Sequence, residues 1–217
     1  MPPPYRLLRC AQGEAIPLDM KIYKYIPCTK IEHLEAILSD DKFYFSDWRN
    51  LNDPMEGFFR FWEKDHTDEE INLFVNQKDE LGISCFSLTC NEILMWSHYT
   101  NNHKGVCIEV DVDINRSQDI TLEVIKYQKN IPNLRLTTGE NMTPKEVLST
   151  KIEPWCYEKE IRAFCKEKNT RHKVGKITKI IRGIQTEHNT INLIKNLRNR
   201  IPVIEAKIDF DTNQIIV

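Results

Sequence analysis

The spacing of apolar and polar residues predicts about eight strands and five helices in mixed order. The clearest strand is Gly105–Val112, in which Val106, Ile108, Val110 and Val112 alternate with more polar residues, the pattern of a half-buried strand. Strands and helices do not alternate regularly along the chain. We therefore expect an α+β fold with a mixed, largely antiparallel sheet and peripheral helices.

Capping and turn signals indicate where several elements begin. The segments 29–32, 67–70 and 143–146 match the capping box, in which a threonine and a glutamate bond each other's backbone N–H groups. Asn91 is predicted to cap a short helix. The other predicted elements are strands at Ile22–Ile26, Lys42–Ser46, Ile83–Leu88, Thr121–Gln128, Tyr157–Lys166 and Lys176–Ile181, a helix at Thr190–Arg200, and a closing hairpin of Val203–Phe210 and Gln214–Val217.

Length and composition bound the architecture and exclude two nucleotide-binding classes. The chain has 217 residues, 41% of them apolar, and we predict that residues 1–217 form one domain, with a helix and hairpin in residues 186–217. Seven glycines are few, and none stands in a G-x-G-x-x-G or G-x-x-x-x-G-K motif. A Rossmann fingerprint and a P-loop are therefore absent.

The net charge of −2 conceals a strong asymmetry. Residues 1–165 carry 19 basic and 27 acidic side chains, whereas the basic segment, residues 166–200, carries ten basic and two acidic ones. Such a segment can bind the backbone of RNA or DNA, and its binding would then be sensitive to salt. The alternative is a solvated basic edge.

The start of the chain and its cysteines bear on the compartment. No apolar run of a signal peptide follows the first residues, and no stretch approaches the roughly 20 apolar residues of a membrane span. The seven cysteines are odd in number, which favours reduced, buried thiols. We therefore expect a cytoplasmic protein that does not contact a membrane.

The motif Glu158-x-Glu160-x-Arg162 is the first candidate for chemistry. On a strand these three side chains share one face, with the carboxylates roughly 7 Å apart. The guanidinium relieves their repulsion and can hold one carboxylate in a bidentate pair. Such a pair suits sugar chemistry, because a carboxylate can bind a ribose hydroxyl and stabilise an oxocarbenium-like centre. The alternative is a solvated strand face with surface ion pairs.

Two further clusters supply candidate ligand contacts. Trp96, His98 and Tyr99 offer stacking surface and hydrogen bonds at the end of a short helix, and the alternative is a buried aromatic plug with a satisfied histidine. Asn52 and Asp53 lie in a proline-containing loop beside an aromatic cluster, where a simple chain turn is the default interpretation. The cysteines and histidines of the neighbouring region miss the usual zinc spacings, and no metal site is predicted.

Six segments follow one another in an order typical of a known family: IYKY (22–25), FYFS…NDPME (43–56), CFSL (85–88), MWSHY…HKGVCIE (95–109), WCYEKEIR (155–162) and KIIRGI (179–184). Through these six segments and their order, the chain resembles the bacterial "domain of unknown function 2971" family from about Ile22 to Ile184. The pair MWSHY…HKGV and W-x-YE-x-E-x-R is the specific part of the resemblance.

The strand order and the late E-x-E strand are in turn similar to the ADP-ribosyltransferase superfamily, including DarT-like toxins that modify nucleic acid. This similarity implies a split sheet that binds NAD without a glycine motif. It implies that Glu160 binds the 2′-OH of the nicotinamide ribose and that Glu158 orients or deprotonates the acceptor. Nicotinamide would lie near Tyr25 and Ser87, and the phosphates near Arg162 or the basic segment.

The same similarity leaves parts of the site and of the reaction open. The first strand has tyrosine and lysine where the superfamily has His or Arg, and the middle serine is either Ser46 or Ser87. The acceptor is RNA, DNA or protein, and a toxin or anti-phage effector of this kind would have an antitoxin or other partner protein. The implied NAD-contacting residues are Tyr25, Lys24, Ser46, Asn52, Asp53, Ser87, Trp96, His98, Tyr99 and Arg162.

Two other functions compete with ADP-ribosyl transfer. One is a nuclease or phosphodiester hydrolase in which Glu56, His98, Glu158 and Glu160 form the acid–base or metal set. The other is a module that binds a nucleotide or nucleic acid without catalysis. A requirement for divalent metal would indicate the first, and binding that survives Glu160→Gln would indicate the second.

Overall fold

The computed structural model describes residues 8–9, 15–16, 20–29, 31–61, 66–113, 120–134, 142–198, 200–212 and 214–217. The strands are β1 (Leu8–Arg9), β2 (Ala15–Ile16), β3 (Lys21–Ile26), β4 (Lys42–Phe45), β5 (Gly82–Ser87), β6 (Val106–Val112), β7 (Thr121–Val124), β8 (Lys126–Gln128), β9 (Thr150–Ile152), β10 (Glu160–Cys165), β11 (Thr170–Lys173), β12 (Gly175–Arg182), β13 (Val203–Glu205), β14 (Lys207–Asp209) and β15 (Gln214–Ile216). The α-helices are α1 (Ile31–Asp40), α2 (Asp68–Asp79), α3 (Ile93–Tyr99), α4 (Pro144–Val147) and α5 (His188–Leu197), and 3-10 helices span Trp48–Asn50 and Glu153–Glu158.

A seven-stranded sheet in the order β13-β12-β6-β3-β5-β10-β7 organises the described part of the chain. Its neighbouring strands run antiparallel except β12 and β13, which are parallel. Smaller ladders join β1 to β2, β4 to β11 and β14 to β15, and β8 runs parallel to β9. The predicted α+β class with a mixed, largely antiparallel sheet is therefore confirmed.

The large sheet is nearly interrupted between β3 and β5. These strands pair at one position only, Tyr23 with Ser87. Farther along the same edge of β5, Ser46 at the end of β4 bridges Ile83 through two backbone hydrogen bonds. Strands β3 and β4 thus hold opposite ends of one edge of β5 and leave a gap between them at Cys85.

Apolar side chains cover both faces of the large sheet. One face contributes Ile22 to a core cluster that includes Leu34 of α1, and the other contributes Tyr25 to a cluster around Trp96 of α3. The prediction of a half-buried β6 is therefore wrong. Cys107 of that face packs into the Trp96 cluster. Even Glu109, on the expected solvent side of β6, is only 3% exposed, because its carboxylate is surrounded by side chains of β3 and β12.

Capping boxes open α2 and α4 as predicted. In each case the threonine hydroxyl, of Thr67 or Thr143, accepts the N–H of the glutamate three residues on, whose carboxylate accepts the threonine N–H. The box predicted before α1 includes residue 30, which lies outside the described residues. The predicted cap Asn91 is wrong, because the carboxylate of Glu92 performs this role for α3. None of the described helices is both long and apolar enough to cross a membrane.

The predicted strand Tyr157–Lys166 is wrong in its first part. Residues Glu153–Glu158 form a 3-10 helix with proline in its first turn, and Lys159 then adopts a left-handed conformation with φ of 43°. Strand β10 begins only at Glu160. Glu158 and Glu160 therefore do not share a strand face, since the left-handed residue between them turns the chain.

Three other elements differ from the predictions because of their tertiary partners. The predicted strand Thr121–Gln128 is divided at Ile125, so that β7 pairs with β10 and β8 pairs with β9. The closing hairpin contains only β14 and β15, while β13 joins the large sheet beside β12. Strand β11 was not predicted, because its sequence TRHK has no apolar alternation, and it pairs with β4.

Candidate active site

A cavity of about 650 Å³ occupies the gap between β3, β4 and β5. The Lys24 ammonium spans this gap and donates to the carbonyl oxygen of Cys85 at 2.7 Å. The volume lies in the range of roughly 300–1,000 Å³ that is usual for small-molecule sites. Eight of the predicted site residues line the cavity wall: Lys24, Tyr25, Ser46, Asn52, Ser87, Tyr99, Glu158 and Glu160.

Five buried charged side chains, which we call the ion cluster, adjoin the cavity: Glu56, Lys151, Glu158, Glu160 and Arg162. The Lys151 ammonium lies 2.5 Å from Glu158 and 3.2 Å from an oxygen each of Glu160 and Glu56. No side chain of the cluster is more than 6% exposed, so these pairs are shielded from water. Three carboxylates face two cations, which leaves one excess negative charge when all five groups are ionised.

Arg162 holds the other side of the ion cluster. Its Nε and Nη2 lie 2.7 and 3.0 Å from the two oxygens of Glu160, the bidentate pair that the motif predicts. Nη2 also donates to Glu56 at 2.6 Å, and Nη1 donates to the carbonyl oxygen of Leu148 at 2.6 Å. Because Arg162 is fully buried and absent from the cavity wall, it positions carboxylates. The alternative of a solvated strand face is excluded.

The pKa values of the two candidate catalytic carboxyls are shifted in opposite directions. Burial raises the pKa of Glu158, and the negative charge of Glu160 adds to this effect. Burial acts to raise the pKa of Glu160 too, but Arg162 and Lys151 outweigh it and hold that pKa below its ordinary value. The surroundings therefore favour the ionised form of Glu160, whereas Glu158 is the carboxyl suited to exchange a proton.

Polar groups from three separate segments lie around Glu158, and two of them bond to it directly. The hydroxyl of Tyr99, at the end of α3, donates to its carboxylate. The hydroxyl of Ser87 donates to the backbone carbonyl of Glu158 at 2.6 Å. The Asn52 side-chain amide lies 3.4 Å from the Tyr99 hydroxyl. Residues predicted in a loop, a strand and a helix therefore come together around Glu158, and of these three only Tyr99 bonds its carboxylate.

The ion cluster retains unused hydrogen-bond acceptor positions. An ionised carboxylate accepts about four hydrogen bonds. Glu158 receives two of them, from Tyr99 and Lys151, and Glu160 receives three, from Arg162 and Lys151. Glu56 Oε2 is buried with no partner among the described residues. Because Glu158 and Glu160 line the cavity, a ligand hydroxyl can bond to either.

Lys151 and Tyr127 belong to the site although no sequence motif predicted them. Strands β8 and β9 pair in parallel and bring both residues to the start of β10. There the Tyr127 hydroxyl accepts the backbone N–H of Glu160 at 2.8 Å. The local signal for Lys151 is only its position between the apolar residues Leu148 and Ile152. That position indicates that Lys151 is buried but does not predict which residues it contacts.

Four predicted contact residues lie away from the cavity wall. Besides Arg162, these include Trp96, which is fully buried and donates its Nε1–H to a backbone carbonyl at 2.7 Å, as expected of an aromatic plug. His98 is exposed, with its ring centre 6.2 Å from that of Tyr157. Asp53 accepts the backbone N–H two residues further on, at 2.9 Å, within its own turn.

Within the described ranges, no group of three or more His, Cys, Asp or Glu side chains is arranged to hold a metal ion. Glu56, Glu158 and Glu160 do come together, but the Lys151 ammonium occupies the space between them. His98, the fourth member of the predicted nuclease set, lies apart from them on the surface.

Folding partly neutralises the basic segment. Six of its ten cations lie in β11, β12 and α5, and the other four lie in the segments beside these elements. Five of its cations form ion pairs: Lys168 with Asp47, Lys173 and Arg198 with Asp41, Lys179 with Glu109, and Arg182 with Glu205. The charge asymmetry along the sequence is therefore smaller on the folded molecule, where basic and acidic segments meet.

The fold and the site define an α+β protein with a carboxylate-lined cavity at an interruption of its sheet. Residues 95–163 match the model of a family described as "Protein of unknown function (DUF2971)". The matched segment runs from α3 into β10 and includes Lys151, Glu158, Glu160 and Arg162, which supports the resemblance to that unknown-function family. No curated protein and no solved structure matches the chain.

Proposed function

We propose that this chain is an ADP-ribosyltransferase-like enzyme that consumes NAD. The observation that carries the proposal is the cavity at the interrupted β3–β5 junction, with Glu158 and Glu160 on its wall. A late-strand glutamate at a split in the sheet is the arrangement implied by the similarity of the sequence to that superfamily. Such a site needs no glycine motif, which agrees with the low glycine content.

Glu160 is assigned the catalytic role because of its charge and its surroundings. Arg162 and Lys151 keep it ionised, and the remaining acceptor position, next to the Cys85 thiol, is assigned to the 2′-OH of the nicotinamide ribose. The ionised carboxylate of Glu160 stabilises the positive charge that develops at the ribose C1′. Burial strengthens this interaction, because the surroundings are less polar than water.

The transfer step breaks one bond and forms one. The bond between C1′ and the nicotinamide nitrogen breaks, and its electron pair leaves with neutral nicotinamide. A lone pair of the acceptor forms the new bond to C1′, and the acceptor's proton passes to Glu158. The raised pKa of Glu158 makes it a stronger base than an ordinary glutamate, which suits this role.

The test combines NAD labelled in its adenosine half with RNA, DNA and cellular protein in separate reactions. Nicotinamide release and transfer of label to one acceptor class are expected, and both should be lost in Glu160→Gln. Glu109→Gln is the matched control, because Glu109 is an equally buried sheet glutamate that does not line the cavity. Absence of nicotinamide release from a folded wild-type protein with every acceptor would overturn the proposal.

A binding module without catalysis is the second candidate, and one specific observation favours it. Every carboxylate of the ion cluster already has a cationic partner within 3.2 Å, as in a structural ion-pair network. This candidate predicts that wild-type protein binds NAD without cleaving it. It also predicts that Glu160→Gln leaves the affinity for NAD unchanged.

A further inference from the structure

The β4–β11 ribbon places an aromatic and a cationic side chain at the open side of the cavity. Tyr44 of β4 and Arg171 of β11 are paired in register, and both line the cavity. The Arg171 guanidinium lies 5.9 Å from the centre of the Tyr44 ring. Tyr44 is 45% exposed although it is a large aromatic residue, and its hydroxyl donates to the side chain of Asn169 at 2.9 Å.

Arg171 differs from the cations beside it in the chain. Lys168 pairs with Asp47 at 2.7 Å, and Lys173 pairs with Asp41 at 3.5 Å. Arg171 has no carboxylate within ion-pair distance in the part of the chain that the structure describes. A half-buried guanidinium on a cavity wall without a counter-charge is suited to bind an anionic ligand bidentately.

The cavity is electrostatically asymmetric. Its exposed side carries Arg171 and His33, which offer N–H donors. The carboxylates that line the cavity all lie on its buried side, beside the cations Lys24 and Lys151: Glu56, Glu158 and Glu160. A ligand that is anionic at one end and cationic at the other matches this asymmetry. In NAD these parts are the diphosphate and the nicotinamide ring.

We propose that Tyr44, Arg171 and His33 form a subsite for the nucleoside diphosphate half of the substrate. Arg171 and His33 bind the diphosphate, and the purine stacks on the exposed face of Tyr44. The orientation of the substrate rests on the proposed function, since it places the nicotinamide ribose at Glu160. Binding of the diphosphate half itself does not depend on catalysis.

Calorimetric titration of the full chain with ADP and with ADP-ribose at constant ionic strength tests the subsite. Arg171→Gln is expected to weaken both ligands by about 10–100-fold, because it removes a charge-assisted contact. Tyr44→Leu is expected to weaken them by about tenfold through lost stacking. Lys176→Gln is the matched control, since it removes the same charge from an exposed position of β12 outside the cavity.

The outcomes separate this subsite from the proposed function. Equal affinities of Arg171→Gln and Lys176→Gln, or no ADP binding by the wild type, would overturn the subsite. If nicotinamide is nevertheless released, the proposed function stands without this subsite. Arg171-dependent ADP binding by a protein that never releases nicotinamide would instead support the subsite and contradict the enzyme.

Discussion

Two buried glutamate centres lie on the same sheet and differ in how completely they are satisfied. Glu109 of β6 accepts four hydrogen bonds: from Lys21 at 2.8 Å, Thr178 at 3.0 Å, Lys179 at 3.2 Å and Tyr23 at 3.4 Å. Two cations that reach the surface surround one carboxylate. This centre has no acceptor position left and does not line the cavity.

The ion cluster has the opposite balance. Its three carboxylates share two cations, Glu56 Oε2 is unpaired among the described residues, and Glu158 and Glu160 line the cavity. Burial alone therefore does not mark a functional carboxylate, since both centres are buried. Unused acceptor positions next to an accessible cavity distinguish the ion cluster from the centre at Glu109.

The largest expected effect is on stability, from Lys151→Met. It leaves three buried carboxylates with one cation, and removing one partner of a buried pair costs about 3–5 kcal/mol. For a chain of this size the melting temperature should fall by roughly 6–20 °C. Thermal unfolding followed by circular dichroism measures this.

Lys21→Met is the control for that prediction at the other centre. The Lys21 side chain is 49% exposed, and its loss should change the melting temperature little. Lys151→Arg keeps the charge and should lose less stability than Lys151→Met. Equal melting temperatures for Lys151→Met and Lys21→Met would contradict the distinction between the centres.

The next effect is on catalysis, from Glu160→Gln. If the enzyme acts as proposed, removal of the Glu160 charge beside C1′ should lower the rate of nicotinamide release by about 10²–10³-fold. Glu109→Gln should retain the wild-type rate under all conditions in which this variant is folded. Nicotinamide release is measured by chromatography, and equal losses in the two variants would refute a special role for Glu160.

A change of pH should shift the stability contributions of Glu109 and of Glu158 in opposite directions. Burial acts to raise the pKa of Glu109, but Lys21, Thr178 and Lys179 outweigh it and lower that pKa. Glu109 therefore stabilises the fold above its ordinary pKa of 4.5, and this contribution is lost as pH falls through the folded-state pKa. Glu158 has a raised pKa, so its contribution is complete below 4.5 and is lost as pH rises through its folded-state pKa.

Urea unfolding over a series of pH values checks this prediction. As pH rises from below 4.5, the wild type should gain stability relative to Glu109→Gln and lose stability relative to Glu158→Gln. Differences that change in the same direction for both variants would show that the centres titrate alike.

The smallest effects concern the two candidate serines, which lie on the cavity wall at opposite ends of the gap along β5. Ser87→Ala should cost about 1–3 kcal/mol, because the buried hydroxyl bonds both Glu158 and the N–H of Thr89. Ser46→Ala should change stability by less than about 0.5 kcal/mol, because its described bonds are those of its backbone.

The KM for NAD of the same two variants tests which serine contacts the ligand. A rise in the KM for NAD in Ser46→Ala alone would identify Ser46 as the ligand contact, and a rise in Ser87→Ala alone would identify Ser87.

The sequence predicted those features that depend on a few neighbouring residues. The boxes at Thr67 and Thr143 needed only a threonine and a glutamate three residues apart, and the core strands were visible as apolar runs. The predicted face shared by Glu158 and Glu160 was wrong, because Lys159 adopts a left-handed conformation that no pattern indicated. The two carboxylates are nevertheless neighbours, joined through Lys151.

By itself the sequence determined the α+β class, the capped helices and the candidate carboxylates Glu158 and Glu160. These follow from local periodicity and from residue types that carry charge. The tertiary structure alone decided which cations face those carboxylates, that Glu56 joins them, and where β3 and β4 separate along β5 to form the cavity. Contacts between residues about 100 positions apart, such as Arg162 with Glu56, depend on the packing of the whole sheet, which no local pattern records.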